Sequence, residues 1–424
     1  MKGALLGGVQ SGSGKTTVML ALLQRHLRLG QSVAAFKAGP DFLDPMWHQA
    51  VLGQASYNLD TQMMGPQECQ RVLCNAQGDY LWVEGVMGLF DGRHGVGGAG
   101  SGADLALVLG LPVVLVVDAK GQAGSIAPLV AGFELYAQKK GIQIAGIVAN
   151  RVGSQGHADL LKGILAEENL PPLLGWMDKK APNLLERHLG LVRPEEWELP
   201  DLASSLNLDD QALERALGLV SLRTKVKERT TKRLLGKRIA IARDLACCFI
   251  YPANLDWLKE QGAEVVFFSP LNSEPLPPEI DGLWLPGGYP ELYGAQLAGS
   301  SSWETIQVFI EAGGAVLAEC GGAMLLGETL IDLQNESHPM AGVFDFKSKM
   351  QTRLAGLGYA EEQSGARGHE FHHSSRIGGA KCYAAAFELD KGDQGLKYKQ
   401  VRASYIHWYF PSAPEAVARW FSGQ

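Results

Sequence analysis

Two groups of residues in this chain could do chemistry. The first lies in "AVLAECGGAMLL", residues 315–326, where one thiol stands at the end of an apolar run with two glycines behind it. Gly321 and Gly322 would allow a sharp strand-to-helix turn with Cys320 at its apex. A lone cysteine is ordinarily a small buried apolar residue, but one held at such a turn can act as a nucleophile. The start of a helix is expected to lower its pKa, and the Gly321 N–H is placed to hold an oxyanion. "LPGGYPE" offers a second oxyanion donor at Gly288, beside Gly287. The thiol then needs a base, and "ASYIHWYF" supplies His407 near the end of the chain. Alone, His407 would read as a packed histidine; with an upstream thiol it reads as the activating base.

The second group opens the chain. "GGVQSGSGKTT", residues 7–17, sits between an apolar run and an amphipathic one, the strand–loop–helix setting of a phosphate loop. Gly12, Ser13 and Gly14 would turn backbone N–H groups toward phosphate oxygens. Lys15 would bridge the terminal phosphates of ATP. Thr16, followed by Thr17, would offer its hydroxyl to Mg2+. Strict spacing asks for glycine at position 9, where Val9 stands after Gly8. Gln10 occupies the place of the second lysine of partitioning ATPases. The loop thus resembles the dethiobiotin synthetase-like branch, which spends ATP on activating a carboxylate or carbamate. Glu84 ends "YLWVEG", where an acid facing the loop would hold Mg2+ or its water. Asn150 ends "GIVAN" and either reads adenine or closes a turn. "FKAGPDFLDPMWHQAVLGQASYNLD" gathers Lys37, Asp41, Asp44, His48, Asn58 and Asp60, and "VMGLFDGRHG" adds Asp91, Arg93 and His94. Any one aspartate here could serve as a cap or turn residue. Together, after successive strands, they point to one site at the strand C-termini.

These residues need two scaffolds. "KGALLGGV", "SVAAFKAG", "DYLWVEGV", "PVVLVVDA" and "IQIAGIVAN" read as buried parallel strands, with helical segments such as "KTTVMLALLQRHLRLG" between them. That alternation predicts a doubly wound, mostly parallel α/β P-loop domain over 1–178. Residues 179–236 are Pro-flanked and charged, and end in the basic run "RTKVKERTTKR". We read them as a partly helical linker, the basic run being a solvated face. From "GKRIAIARD" the alternation resumes, giving a second α/β domain over 237–424.

Composition narrows the function. The chain has 424 residues, 46% of them hydrophobic, enough for two or three cores. A net charge of −7 argues against nucleic acid or an anionic membrane as partner. No apolar run is long enough to span a membrane, and the N-terminal apolar run leads straight into the phosphate loop. The expectation is a cytoplasmic protein. Its six cysteines show no C-x-x-C pair and no zinc spacing, so free thiols are expected.

Cys320 followed by His407 within one α/β domain resembles a class I glutamine amidotransferase. Most of that class carries an acid two residues after the histidine, where this chain has Tyr409, and many have glutamine where it has Met324. Both departures match the cobyrinic/cobyric branch. The whole chain is similar to the cobyrinic acid a,c-diamide synthase family. "SGSGKTT", "KAGPDFLDP", "VEGVMGLFDG", "ARDLACCFIYPANL", "LPGGYPELY", "AECGGAMLL", "RGHEFHHS" and "SYIHWYF" carry the likeness through both domains. "FKAGPDFLDP" favours diamidation over the later four-amide step, although Phe42 replaces the tyrosine of many relatives. The resemblance implies a ligase with ATP–Mg2+ and glutamine as co-substrates and a cobyrinic acid-type tetrapyrrole as acceptor. It also implies roles for Lys37, Asp41, Asp44, Glu84 and Asp91 in the synthetase site, through Mg2+ (with Thr16) or substrate placement. Three alternatives stay open: hydrogenobyrinic acid, nickel-sirohydrochlorin, and a regulatory P-loop ATPase with an inactive amidotransferase-like domain. A homodimer is compatible with any of them.

Overall fold

The structure, a computed structural model, describes residues 1–93, 95–187, 190–220, 231–379 and 381–423. His94 and most of the basic run 223–233 lie outside the described residues. The chain divides into two compact units, Met1–Val226 and Lys227–Gln424.

In the first unit the apolar runs become β1 (Lys2–Gly8), β2 (Val33–Ala38), β3 (Tyr57–Leu59), β4 (Tyr80–Glu84), β5 (Val113–Asp118), β6 (Ile144–Val152) and β7 (Leu173–Asp178). They pair in parallel in the order β7-β6-β5-β1-β4-β2-β3. Helices cover the sheet, so its strands are apolar on both sides: Ala4, Leu5, Leu6, Val113–Val117 and Ile147 are buried. Chain order reverses at β1, which lies between β4 and β5, and that switch opens a crevice at the strand C-termini. Helix α1 (Lys15–Arg28) starts there, and α2 (Leu43–Leu52) follows β2.

The stretch read as linker departs from that expectation over its first part. Leu206–Leu208 pairs antiparallel with β7, and Gly218–Leu219 pairs antiparallel with β1. Leu202, Leu206, Leu213 and Leu217 are buried in the core of the first unit. Burying each leucine is worth about 1.5–3 kcal/mol, more than enough to draw a charged segment onto a sheet edge.

The second unit holds a six-stranded sheet in the order Glu264–Phe268, Arg238–Ala242, Gly282–Leu285, Ala315–Glu319, Val401–Ser404 and Leu396–Tyr398. All neighbours are parallel except the last pair. A three-stranded antiparallel sheet, Gly356–Glu361, Arg367–His372 and Ile406–Tyr409, lies alongside. The chain passes from one sheet to the other between Ser404 and Ile406, and this crossing positions His407.

Candidate functional site

The phosphate loop forms as expected. Gly12 (φ 73°) and Gly14 (φ 92°) adopt the left-handed backbone that admits few residues but glycine. A Cβ on Gly14 would overlap the Asn150 amide. Asn150 donates to the Ser13 carbonyl at 3.0 Å, and its Oδ1 accepts the Arg151 N–H at 2.9 Å. The structure therefore puts this amide on the loop backbone, the turn-closing arrangement. Lys15 donates to the Met87 carbonyl at 2.6 Å and, more weakly, to that of Gln10 at 3.4 Å. Burial lowers its pKa, and the charge of Lys37 adds to the effect. Thr17, half-buried, follows on the first turn of α1.

Around Glu84 the polar groups converge. Its side chain is fully buried at the end of β4, opposite Lys37 in the β2 register. Oε1 accepts from Thr16 Oγ1 at 2.7 Å and from Lys37 Nζ at 3.2 Å; Oε2 meets His48 Nε2 at 2.8 Å. Burial works to raise its pKa, but Lys37 and His48 hold it below the usual carboxylate range. Lys37 also lies 2.5 Å from Asp44 Oδ2. Burial, then the charges of Asp41 and Glu84, push the Asp44 carboxyl well up. Three carboxylates thus crowd the Lys37 ammonium. A hydroxyl and a carboxylate oxygen held side by side in such a field suit a hard divalent cation, so Thr16 and Glu84 fit Mg2+.

The remaining aspartates are partly occupied in local structure. Asp41 Oδ1 accepts the Leu43 and Asp44 N–H groups at 2.8 and 3.1 Å, capping the start of α2. Asp91 Oδ2 accepts the Gly88 N–H at 2.8 Å. Asn58 pins the carbonyls of Gly39 and Asp41. His48, noticed in the sequence but given no role there, is tied to both Glu84 and Ser56.

In the second unit Cys320 ends strand Ala315–Glu319 with φ 46° and ψ −109°. That conformation costs a residue with a Cβ about 1–3 kcal/mol, and such strain gathers at functional positions. The Cys320 N–H donates to the Ser404 carbonyl at 2.8 Å, and helix Gly321–Leu325 begins at once. Gly288 and Gly321 approach closely: a Cβ on Gly321 would lie 3.0 Å from Gly288 N. Gly287 sits between the two reactive side chains. A Cβ there would lie 3.3 Å from Cys320 Cβ and 3.1 Å from His407 Nδ1. Cys320 and His407 therefore flank one backbone point, and both are buried.

The electrostatics correct one expectation. The Cys320 thiol does not sit low in this state. Burial pushes it up to about 12, the charge of Glu291 adds to that, and the Gly321 N–H only partly offsets them. The helix has five residues, too short to outweigh desolvation. His407 is held well below its usual value by burial and by His369 and His372, so its imidazole is neutral and able to accept a proton. Within "RGHEFHHS", Arg367–His372 form a strand. His369 pairs with His407 across the antiparallel register, and their rings stack at 5.0 Å and 18°. Tyr251 Oη lies 3.1 Å from His369 Nδ1. The sequence reading missed Glu319, which is buried beside the thiol and accepts the Trp408 N–H at 3.0 Å.

Comparison with known proteins agrees with both halves. Residues 5–191 match the CobQ/CobB/MinD/ParA nucleotide binding domain, and residues 238–415 match the CobB/CobQ-like glutamine amidotransferase domain. The chain is 41% identical to a cobyrinate a,c-diamide synthase of Herminiimonas arsenicoxydans, over 99% of this chain and 96% of the relative. It is 38% identical to a hydrogenobyrinate a,c-diamide synthase of Pseudomonas aeruginosa, over 98% and 96%. A third relative, the hydrogenobyrinate a,c-diamide synthase of Stutzerimonas stutzeri, is 39% identical over 98% and 97%. No helix among the described residues is long and apolar enough to cross a membrane. On identity of this level along nearly its whole length, the chain belongs to the family of cobyrinate and hydrogenobyrinate a,c-diamide synthases.

Proposed function

We propose that this protein converts the a and c carboxylates of a cobyrinic acid-type tetrapyrrole to amides, using ATP and glutamine. One observation carries the enzymatic reading above the regulatory one: a cysteine kept in a strained backbone state, facing a neutral buried histidine across Gly287. A domain kept only for binding partners has no reason to retain that strain.

In the glutaminase half, His407 takes the thiol proton and Cys320 sulfur attacks the glutamine γ-carbonyl. The Gly288 and Gly321 N–H groups stabilise the oxyanion. Ammonia leaves with a proton returned by His407, and water hydrolyses the thioester to glutamate. In the synthetase half, a substrate carboxylate oxygen attacks the γ-phosphorus of ATP, releasing ADP and forming an acyl phosphate. Ammonia then displaces phosphate to give the amide. Gly12, Ser13, Gly14, Lys15 and Thr17 cradle the phosphates, and Asn150 holds the loop in shape for them. Thr16 and Glu84 would hold Mg2+, which would supply charge neutralisation on the phosphates. Lys37, Asp41, Asp44 and Asp91 serve the placement of the substrate carboxylate, Lys37 and Asp44 from buried positions.

The names of the relatives favour a second reading on the same chemistry. Several are hydrogenobyrinate enzymes, so the cobalt-free acid is the alternative acceptor. The reading carries with it a cytoplasmic location, where the cysteines stay reduced, and it is compatible with a homodimer, which sedimentation would test. The test is mass spectrometry of each acid incubated with the protein, glutamine and ATP–Mg2+. Two carboxyl-to-amide conversions on one of them are expected and choose the substrate. ATP hydrolysis with no amide on either would overturn the proposal.

A further inference from the structure

Glu319 stands one residue before the thiol, yet its carboxyl serves the strand that carries the base. Strand Ala315–Glu319 pairs in parallel with Val401–Ser404 only as far as Glu319 opposite Ser404. Beyond that point the chain leaves the six-stranded sheet, and Ile406–Tyr409 pairs with Arg367–His372 instead. Backbone pairing between the two strands therefore ends with the bond from the Cys320 N–H to the Ser404 carbonyl, short of His407. Glu319 spans the gap. Its Oε1 accepts the Trp408 N–H at 3.0 Å, and its Oε2 accepts the Trp284 indole N–H at 3.1 Å.

Stability alone does not account for an acid here. Glu319 is 1% exposed, and both of its described partners are neutral donors. Burial pushes the carboxyl up to about 8. Burying such a group is costly, and a neutral amide or a water could satisfy one backbone N–H at lower cost. Ionised or protonated, a carboxyl keeps an accepting lone pair on each oxygen, so it offers two acceptors at fixed spacing, one for the core tryptophan and one for the neighbour of His407, where an amide offers one.

No acid occupies the position two residues beyond the histidine. That residue is Tyr409, buried against Tyr251 with ring centroids 6.3 Å apart. We propose that Glu319 is the positioning residue for His407: by gripping the Trp408 N–H, it ties the base strand to the nucleophile strand and sets the distance between imidazole and thiol. The His369 ring, stacked on His407, limits rotation of the imidazole from the other side. This proposal rests on the cysteine–histidine glutaminase reading.

The experiment uses the full chain with three changes: Glu319→Ala, Glu319→Gln, and Glu319→Gln combined with Trp284→Phe. In Glu319→Gln one oxygen must serve two N–H donors, and the new NH2 faces a donor. Removing the Trp284 indole leaves that oxygen to Trp408. A displacement of about 1 Å is worth about 100-fold in rate. Glu319→Ala should therefore lower glutaminase kcat by about 100-fold while KM for glutamine stays within about threefold. Amide formation supported by added ammonia should be unchanged. Glu319→Gln should be impaired, and the double change should recover kcat to within about tenfold of the parent. An unchanged kcat in Glu319→Ala overturns the proposal. So does a double variant as slow as Glu319→Gln while folded by its melting curve. Should Glu319→Ala not fold, the comparison of the glutamine variants decides alone. A parent protein without glutaminase activity would instead refute the cysteine–histidine reading.

Discussion

Gly287 gives the sharpest test of the glutaminase geometry. It is not among the glycines with positive φ, so alanine can adopt its backbone without strain. What alanine adds is one methyl carbon between Cys320 and His407. That carbon would fall well inside 3.0 Å of His407 Cε1, while lying 3.3 Å from Cys320 Cβ. Carbon atoms settle at about 3.5–4.0 Å, so the imidazole must move by about 1 Å. Cys320 cannot give way instead, because Ser404 holds its backbone N–H and its φ is already strained. A displacement of about 1 Å costs about 100-fold in rate, or about 2.7 kcal/mol of transition-state stabilisation. Gly287→Ala should therefore release glutamate from glutamine about 100-fold more slowly, while ammonia-supported amidation continues at the parent rate. Gly288→Ala is the control for folding. Its Cβ would overlap the Ala246 carbonyl and lie 2.9 Å from Cys248 N, which are backbone atoms. It should lower the melting temperature where Gly287→Ala does not. Glutaminase activity of Gly287→Ala within about threefold of the parent would refute the placement of His407 against Cys320.

Other perturbations separate the two halves. Cys320→Gly and Cys320→Ala should both abolish glutamine-supported amidation and keep the ammonia-supported reaction. The glycine variant should unfold at higher denaturant, by about 1 kcal/mol, because it relieves φ 46°. Lys37→Met leaves Asp44 and Glu84 buried without their ammonium. It should cost about 3–5 kcal/mol in urea unfolding and end ATP-dependent amidation, and a variant of parental stability would contradict the ion-pair geometry. Arg376 clasps Asp393 with two hydrogen bonds of 2.8 and 2.6 Å. Burial opposes ionisation of Asp393, but Arg376 holds its carboxyl below the usual carboxylate range. Its contribution is therefore complete above the unfolded value of about 4 and is lost as pH falls through the lower folded value. Melting temperature should drop on that acid limb, and Asp393→Asn should flatten it.

What the sequence made legible is what local chain physics decides. Parallel strands covered on both sides must be apolar throughout, so β1, β2, β4, β5 and β6 stand out as runs. Glycines at 12 and 14 announce a backbone that side chains resist. Cys320 with two glycines behind it announces a turn. The rest depends on partners distant in sequence. The pairing of His369 with His407 is a matter of register across a sheet, which no local pattern encodes. The leucines from 202 to 217 sit among charges that hid their apolar spacing, so an edge of the sheet read as a linker. The thiol expectation failed for the same reason. A helix start acts locally and lowers a thiol pKa, but burial and the charge of Glu291 come from tertiary packing and outweigh it. Burial disfavours the thiolate and the imidazolium alike, which favours a neutral pair over a standing ion pair in the free site. Proton transfer then has to accompany attack on glutamine. That makes the rate sensitive to the distance between sulfur and ring, and it is why one carboxyl and one missing methyl, at Glu319 and Gly287, carry so much of the chemistry.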